Sequence, residues 1–151
     1  MLGLVIGVFG IGLAVVLSGI GSSIGIRIAA EAANAAMIEE PKNFGKYLVL
    51  TALPGTQGIY GFVIGFLAVA KLKVEMGVTD GLALFFSTLP IALAGLFSAI
   101  YQGKVTAAGI NMTVKHPEES GKALVLGVFV EFYAILGFVI SIILLNSGFL
   151  K

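Results

Sequence analysis

The sequence predicts an all-α membrane protein with four transmembrane helices, made by tandem duplication of one helical hairpin. Three observations carry that class. Of 151 residues, 58% are hydrophobic and only 11% are charged, whereas a soluble domain carries about 25% charge. Charged side chains are missing from Met1 to Ile26, from Tyr47 to Ala70 and from Gly81 to Gly103, and Glu131 is the only one between Ala123 and Leu150. Finally, the first half of the chain recurs in the second at a constant offset of 76 residues.

The charge-free stretches set the spans. A hydrocarbon core of about 30 Å needs roughly 20 apolar residues of helix, and all four stretches are long enough. They are continuously apolar, which argues against spanning strands, because those alternate lipid-facing and lumen-facing residues. The first stretch reads as a retained span, not a cleaved signal. It opens Met-Leu-Gly-Leu-Val with no basic residues, and it exceeds an apolar signal core of about 7–15 residues.

Composition also excludes. A net charge of +1 gives no footprint for nucleic acid. With no cysteine there is neither a disulfide framework nor a thiolate metal site. No phosphate-binding loop, nucleophile elbow or metalloprotease motif occurs, so no catalytic site is expected in this chain.

The repeat is carried by residues that hydrophobic composition does not supply. Pro41-Lys-Asn-Phe-Gly-Lys-Tyr-Leu-Val-Leu50 aligns with Pro117-Glu-Glu-Ser-Gly-Lys-Ala-Leu-Val-Leu126, and Gly61-Phe-Val-Ile64 aligns with Gly137-Phe-Val-Ile140. In the same register Gly19, Ser22, Ile24 and Ala32 meet Gly95, Ser98, Ile100 and Ala108. Residues 1–75 form a first hairpin and 76–151 a second, inserted with the same orientation as a parallel repeat. Glu131 falls opposite Gly55, so one copy carries a carboxylate that the other lacks.

Orientation follows from basic residues near span ends. Loops one and three collect Arg27, Lys42, Lys46, Lys104, Lys115 and Lys122, against Lys71, Lys73 and Lys151 on the other side. This predicts loops one and three in the cytoplasm and both termini outside. Small residues recur every fourth position at Gly21, Gly25, Ala29 and Ala33, and again at Gly95, Ala99, Gly103 and Ala107. Positions four apart share a helix face, and small residues there let membrane helices approach closely. The stripe serves equally for packing within one bundle and for side-by-side packing of many copies.

Glu131 is the most informative residue. A charge at mid-bilayer costs about 2.5–3.5 kcal/mol on insertion scales, so intramembrane ionisable groups are read as functional. Counted from the loop prolines, Glu131 lies 14 residues from Pro117, Gln102 lies 15 before Pro117, and Gln57 lies 16 from Pro41, with Thr56 one nearer. The four therefore share a depth on three helices. One carboxylate, two carboxamide oxygens and a hydroxyl make a hard oxygen set, and a single negative charge suits a monovalent cation. Pro54 disturbs its turn, making the Leu53 carbonyl a candidate backbone ligand. Tyr60, on the same face as Thr56, is placed to give its hydroxyl to Glu131. Direct hydrogen bonding between Gln57 and Gln102 is the plainer alternative for that pair. Elsewhere His116, Asn111 and Thr113 read as solvated, and Pro90 as a kink in the third span.

Leu53-Pro-Gly-Thr-Gln-Gly-Ile-Tyr-Gly-Phe-Val-Ile64, Gln102-Gly-Lys-Val and Val130-Glu-Phe-Tyr-Ala-Ile-Leu-Gly-Phe-Val-Ile140 resemble the proteolipid of rotary V-type ATPases, the K or c subunit of the bacterial enzymes. The resemblance covers essentially the whole chain and is strongest to the sodium-translocating members. It implies a homo-oligomeric ring that turns in the membrane lipid against a stator subunit with an essential arginine and joins central-stalk subunits to a separate ATP-hydrolysing head. It implies Na+ ligands at the Leu53 carbonyl, Thr56, Gln57, Gln102 and Glu131, with Tyr60 hydrogen-bonded to the carboxylate. H+ in place of Na+ is the alternative cargo, and a structural pore or junction protein is the rival from another class.

Overall fold

The computed structural model describes residues 1–148; Phe149, Leu150 and Lys151 lie outside the described residues, Lys151 of the orientation count among them. The chain is helical throughout: α1 (Leu2–Glu39), α2 (Phe44–Ala52), α3 (Thr56–Val69), α4 (Val78–Lys115) and α5 (Ser120–Asn146). Short 3₁₀ turns occupy Pro41–Asn43, Leu53–Gly55 and Pro117–Glu119. Four segments are long and apolar enough to cross a membrane: Leu2–Glu39, Pro41–Val69, Val78–Lys115 and Pro117–Asn146.

The two long helices end in the same way. Glu40 (φ −140°, ψ 80°) and His116 (φ −134°, ψ 73°) both leave the helical region, as a residue before proline must. The helices run on to those points because nothing stops them sooner. The Ala-rich stretch from Arg27 to Glu39 favours helix, and the next breaker is Pro41. This corrects the sequence reading of loops one and three. Arg27 and Lys104 are not loop residues but lie inside α1 and α4, and the true connections are only a few residues long. At 1.5 Å per residue a 38-residue helix spans about 57 Å, nearly twice the hydrocarbon thickness.

α4 is the hub, packed against α1, α5 and α3. Its seam with α1 runs from Gly3 beside Gly81 to Gly25 beside Gly103. No described glycine has positive φ, so these glycines serve close approach. A Cβ on Gly25 or Gly103 would strike the backbone of Ala99 or Gly25. The small-residue stripes of the two hairpins thus meet one another inside the chain, with Ala29, Ala33 and Ala99 buried.

The prolines act differently. Pro54 splits the second span into α2 and α3, whereas α4 continues through Pro90 as one helix. The Pro90 turn is tied on both sides. The Ser18 hydroxyl donates to the Ile91 carbonyl at 3.1 Å, and the Ile91 N–H donates to the Ser141 hydroxyl at 3.3 Å. His116 and Asn111 are exposed, but Thr113 is fully buried, with its hydroxyl donating to the Gly109 carbonyl at 2.8 Å. Closeness to the loop in sequence misplaced Thr113, because α4 projects beyond the span while its inner face stays packed.

Two apolar layers fill the bundle. One gathers Ile64, Leu84, Ile91 and Leu145, the other Tyr47, Leu50, Ile110 and Ala123. Along α3, α4 and α5 the polar residues Gln57, Gln102 and Glu131 fall between them.

Candidate ion-binding site

The polar layer is a chain of hydrogen bonds across three helices. It starts at the break made by Pro54. There the Leu53 carbonyl accepts the Thr56 N–H that closes the 3₁₀ turn, and also the Thr56 hydroxyl at 3.1 Å. The same hydroxyl lies 3.3 Å from Gln57 Oε1. Gln57 Nε2 donates to Gln102 Oε1 at 2.7 Å, and Gln102 Nε2 reaches Glu131 Oε2 at 3.4 Å and the Gly127 carbonyl at 3.0 Å. From the other side the Tyr60 hydroxyl donates to Glu131 Oε1 at 2.8 Å.

Burial makes these contacts count. Gln57 and Gln102 are fully buried and Glu131 is 7% exposed. In such a setting an unpaired polar group costs about 1–3 kcal/mol, and more when charged. Glu131 holds two donors, one on each carboxylate oxygen. Each carboxamide oxygen has two lone pairs, so Gln57 and Gln102 can accept their present bonds and still face a cation. The oxygens of Leu53, Thr56, Gln57, Gln102 and Glu131 are therefore linked into one continuous set. Among the described residues no group of three or more His, Cys, Asp or Glu is arranged to hold a metal ion. One carboxylate among neutral oxygens neutralises one positive charge, which favours a monovalent hard cation over a divalent one.

All six residues singled out in the sequence belong to this network. The plainer reading of the glutamine pair also holds, since their amides are bonded directly. One member went unread. Ser98, almost wholly buried, accepts a second bond from Gln57 Nε2 at 3.1 Å. In the sequence it is visible only as the counterpart of Ser22, whose hydroxyl accepts the Gly58 N–H at 2.8 Å. Ser98 fixes the Gln57 carboxamide with its oxygen turned toward Thr56.

Comparison with known proteins agrees with this architecture. The sequence model of the ATP synthase C subunit matches residues 9–68 and again 85–144. The chain is 49% identical over 146 residues to the V-type sodium ATPase subunit K of Enterococcus hirae, covering 97% of this chain and 94% of that one. It is 39% identical to the A-type ATP synthase subunit K of Methanocaldococcus jannaschii, over 97% of this chain and 64% of that longer one. It is 26% identical to the V-type proton ATPase subunit c of Candida tropicalis, over 93% and 88% of the two chains. The chain belongs to the ATP synthase C-subunit family, as a member with two hairpins in one polypeptide.

Proposed function

We propose that this chain is the rotor-ring subunit of a V-type ATPase and carries Na+ through the membrane by rotation, coupled to ATP hydrolysis or synthesis in a separate soluble head. The observation that carries the proposal is Glu131, buried at span depth and linked through Gln102 and Gln57 to Thr56 and the Leu53 carbonyl. The 49% identity to a sodium ATPase subunit K supports the choice of ion.

The chemistry runs as follows. Na+ neutralises Glu131 and is closed in by the Leu53, Thr56, Gln57 and Gln102 oxygens, while Tyr60 holds the carboxylate in place. A loaded site presents no net charge to lipid and passes round the ring, whereas a bare carboxylate is too costly to move through hydrocarbon. At the stator a fixed positive charge, supplied by an arginine of the partner subunit, displaces the ion into an aqueous half-channel. Rotation then brings the site to a second half-channel on the other side.

One carboxylate serves four helices, so each turn moves few ions for its circumference. Moving a charge against 100 mV takes about 2.3 kcal/mol, and fewer ions per turn leave more of each ATP for each ion. The chain itself supplies no catalytic group. The two hairpins are assigned to residues 1–75 and 76–151, and loops one and three to the cytoplasm with both termini outside, where the short connections would face the central stalk.

Carbodiimide labelling of the intact complex tests the ion. The reagent attacks protonated buried carboxyls. Labelling at Glu131 that slows as Na+ is added supports the sodium site. Labelling indifferent to Na+ at every pH contradicts it and leaves a proton rotor.

A further inference from the structure

The helix that begins after Pro54 starts without a cap of its own. The N-cap position of α3 is Gly55, which has no side chain to offer and makes no capping bond. The first N–H groups of a helix have no carbonyl one turn back to bond. Here they lie at membrane depth, where no water takes the partner's place. The Thr56 N–H is taken by the Leu53 carbonyl in the 3₁₀ turn. The Gly58 N–H is taken by Ser22 of α1, whose Oγ accepts it at 2.8 Å. Thr56, Gln57 and Gly58 are the first three residues of α3. Ser22 therefore accepts the N–H that a serine at the N-cap position would itself accept, but from 36 positions away on another helix.

The fit around that bond is close. Ser22 is 6% exposed, and Pro54 is buried. A Cβ on Gly58 would lie 3.1 Å from Ser22 Oγ, and one on Gly25 would lie 2.7 Å from Pro54 Cβ. Ile26 Cδ1 lies 3.2 Å from the Cβ position of Gly55. Ser22, Gly25 and Ile26 are three and four residues apart and so share a helix face. It is this face of α1 that lies against the break.

The second hairpin supplies a control. At the 76-residue offset the counterparts of Ser22, Pro54 and Gly58 are Ser98, Val130 and Ala134. With no proline at Val130, α5 runs unbroken from Ser120 to Asn146, and that turn holds no helix start to cap. There Ser98 accepts Gln57 Nε2 instead. The serine caps only where the proline has broken the helix.

We propose that Ser22 is a positioning residue of the cation site. It sits on α1, which contributes none of the ligands, and it caps α3, so holding the break that aims the Leu53 carbonyl, Thr56 and Gln57. This rests on the rotor reading above and adds the remaining span to the control of the site. Without the Ser22 hydroxyl, the Gly58 N–H falls back on the Pro54 carbonyl, its ordinary α-helical partner four residues earlier. That bond winds the Leu53–Gly55 turn into α-helix, and the Leu53 carbonyl passes from the Thr56 N–H to the Gln57 N–H. Three residues at 3.0 per turn make a full circle and at 3.6 per turn about 300°, so Thr56 and Gln57 swing by about 60° against α2. Gln57 is then out of line with Gln102.

The test follows ATP hydrolysis by the whole membrane complex against Na+ concentration. Loss of a cap corresponds to roughly 2- to 30-fold. Ser22→Ala should raise the half-saturating Na+ concentration within that range and keep the maximal rate. A double-mutant cycle with Pro54→Ala separates capping from packing. Without the proline the helix needs no cap, so Ser22→Ala in that background should change the sodium requirement by less than about twofold. An unchanged requirement in Ser22→Ala overturns the proposal. An equal rise in both backgrounds also overturns it, because only packing has then been lost. If Ser22→Ala does not accumulate, Ser22→Cys, a weaker acceptor, is read by the same criteria. Should the unaltered complex be indifferent to Na+, the sodium reading fails by itself, and electron cryomicroscopy of the Ser22→Ala ring decides the role of Ser22. A Gly58 N–H moved onto the Pro54 carbonyl upholds it, and an unchanged Leu53–Gly55 turn overturns it.

Discussion

The two hairpins share a fold and differ in what they carry at one level. In the second, Gln102 and Glu131 face inward; in the first, the same places hold Ile26 and Gly55. The difference runs the other way on the outer helices. Thr56, Gln57 and Tyr60 of the first hairpin correspond to Phe132, Tyr133 and Leu136 of the second. Neither hairpin therefore contains a candidate site of its own. The site exists where the outer helix of the first meets the second, and each half lacks what the other supplies. The division brings Thr56, Gln57, Tyr60, Gln102 and Glu131 together at one contact between the hairpins. A buried polar group without partners is costly, and in this shared network Gln57, Gln102 and Glu131 each have one.

The largest effect is expected from removing the only intramembrane charge. Glu131→Gln should reduce Na+ transport by the complex to background in vesicles and abolish carbodiimide labelling of the chain, while the ring still assembles. Next, Gln102→Leu deletes the amide that bridges Gln57 and Glu131. Hydrogen bonds to charged groups are worth about 1.5–3 kcal/mol, which corresponds to roughly 10- to 150-fold. The sodium concentration for half-maximal ATP hydrolysis should rise within that range.

Ser98→Ala removes one neutral bond, from Gln57, and should raise the same concentration only about 2- to 10-fold. An unchanged value would mean that Ser98 does not position the carboxamide. The smallest change is expected at the matching level of the first hairpin. Gly55→Glu combined with Ile26→Gln recreates two polar members without those of the outer helix. Sodium bound per chain, measured by equilibrium dialysis, should not increase. A second ion would show that two residues suffice.

Much of this was legible in the sequence because a helix has a constant rise. Counting residues from Pro41 and Pro117 placed Thr56, Gln57, Gln102 and Glu131 at one depth, and the hydrogen bonds between them run at that depth. Depth is one coordinate of three, however. Whether Ser98 faces Gln57 depends on the rotation of α4 against α1, which glycine contacts such as Gly25 with Ala99 determine and residue counting does not. Thr113 shows a related limit, since nearness to the loop is not nearness to water. Arg27 and Lys104 lie inside α1 and α4, because charge ends the hydrocarbon span and not the helix. Only Pro41 and Pro117 end that.

The central claim is that three of the four spans, drawn from both hairpins, build one cation site. It is tested most directly by counting radioactive sodium bound at saturation to the purified ring, relative to the number of chains. The account predicts one Na+ per chain, lost in Glu131→Gln. Two per chain would contradict the single site, and none at any sodium concentration would contradict the sodium site itself.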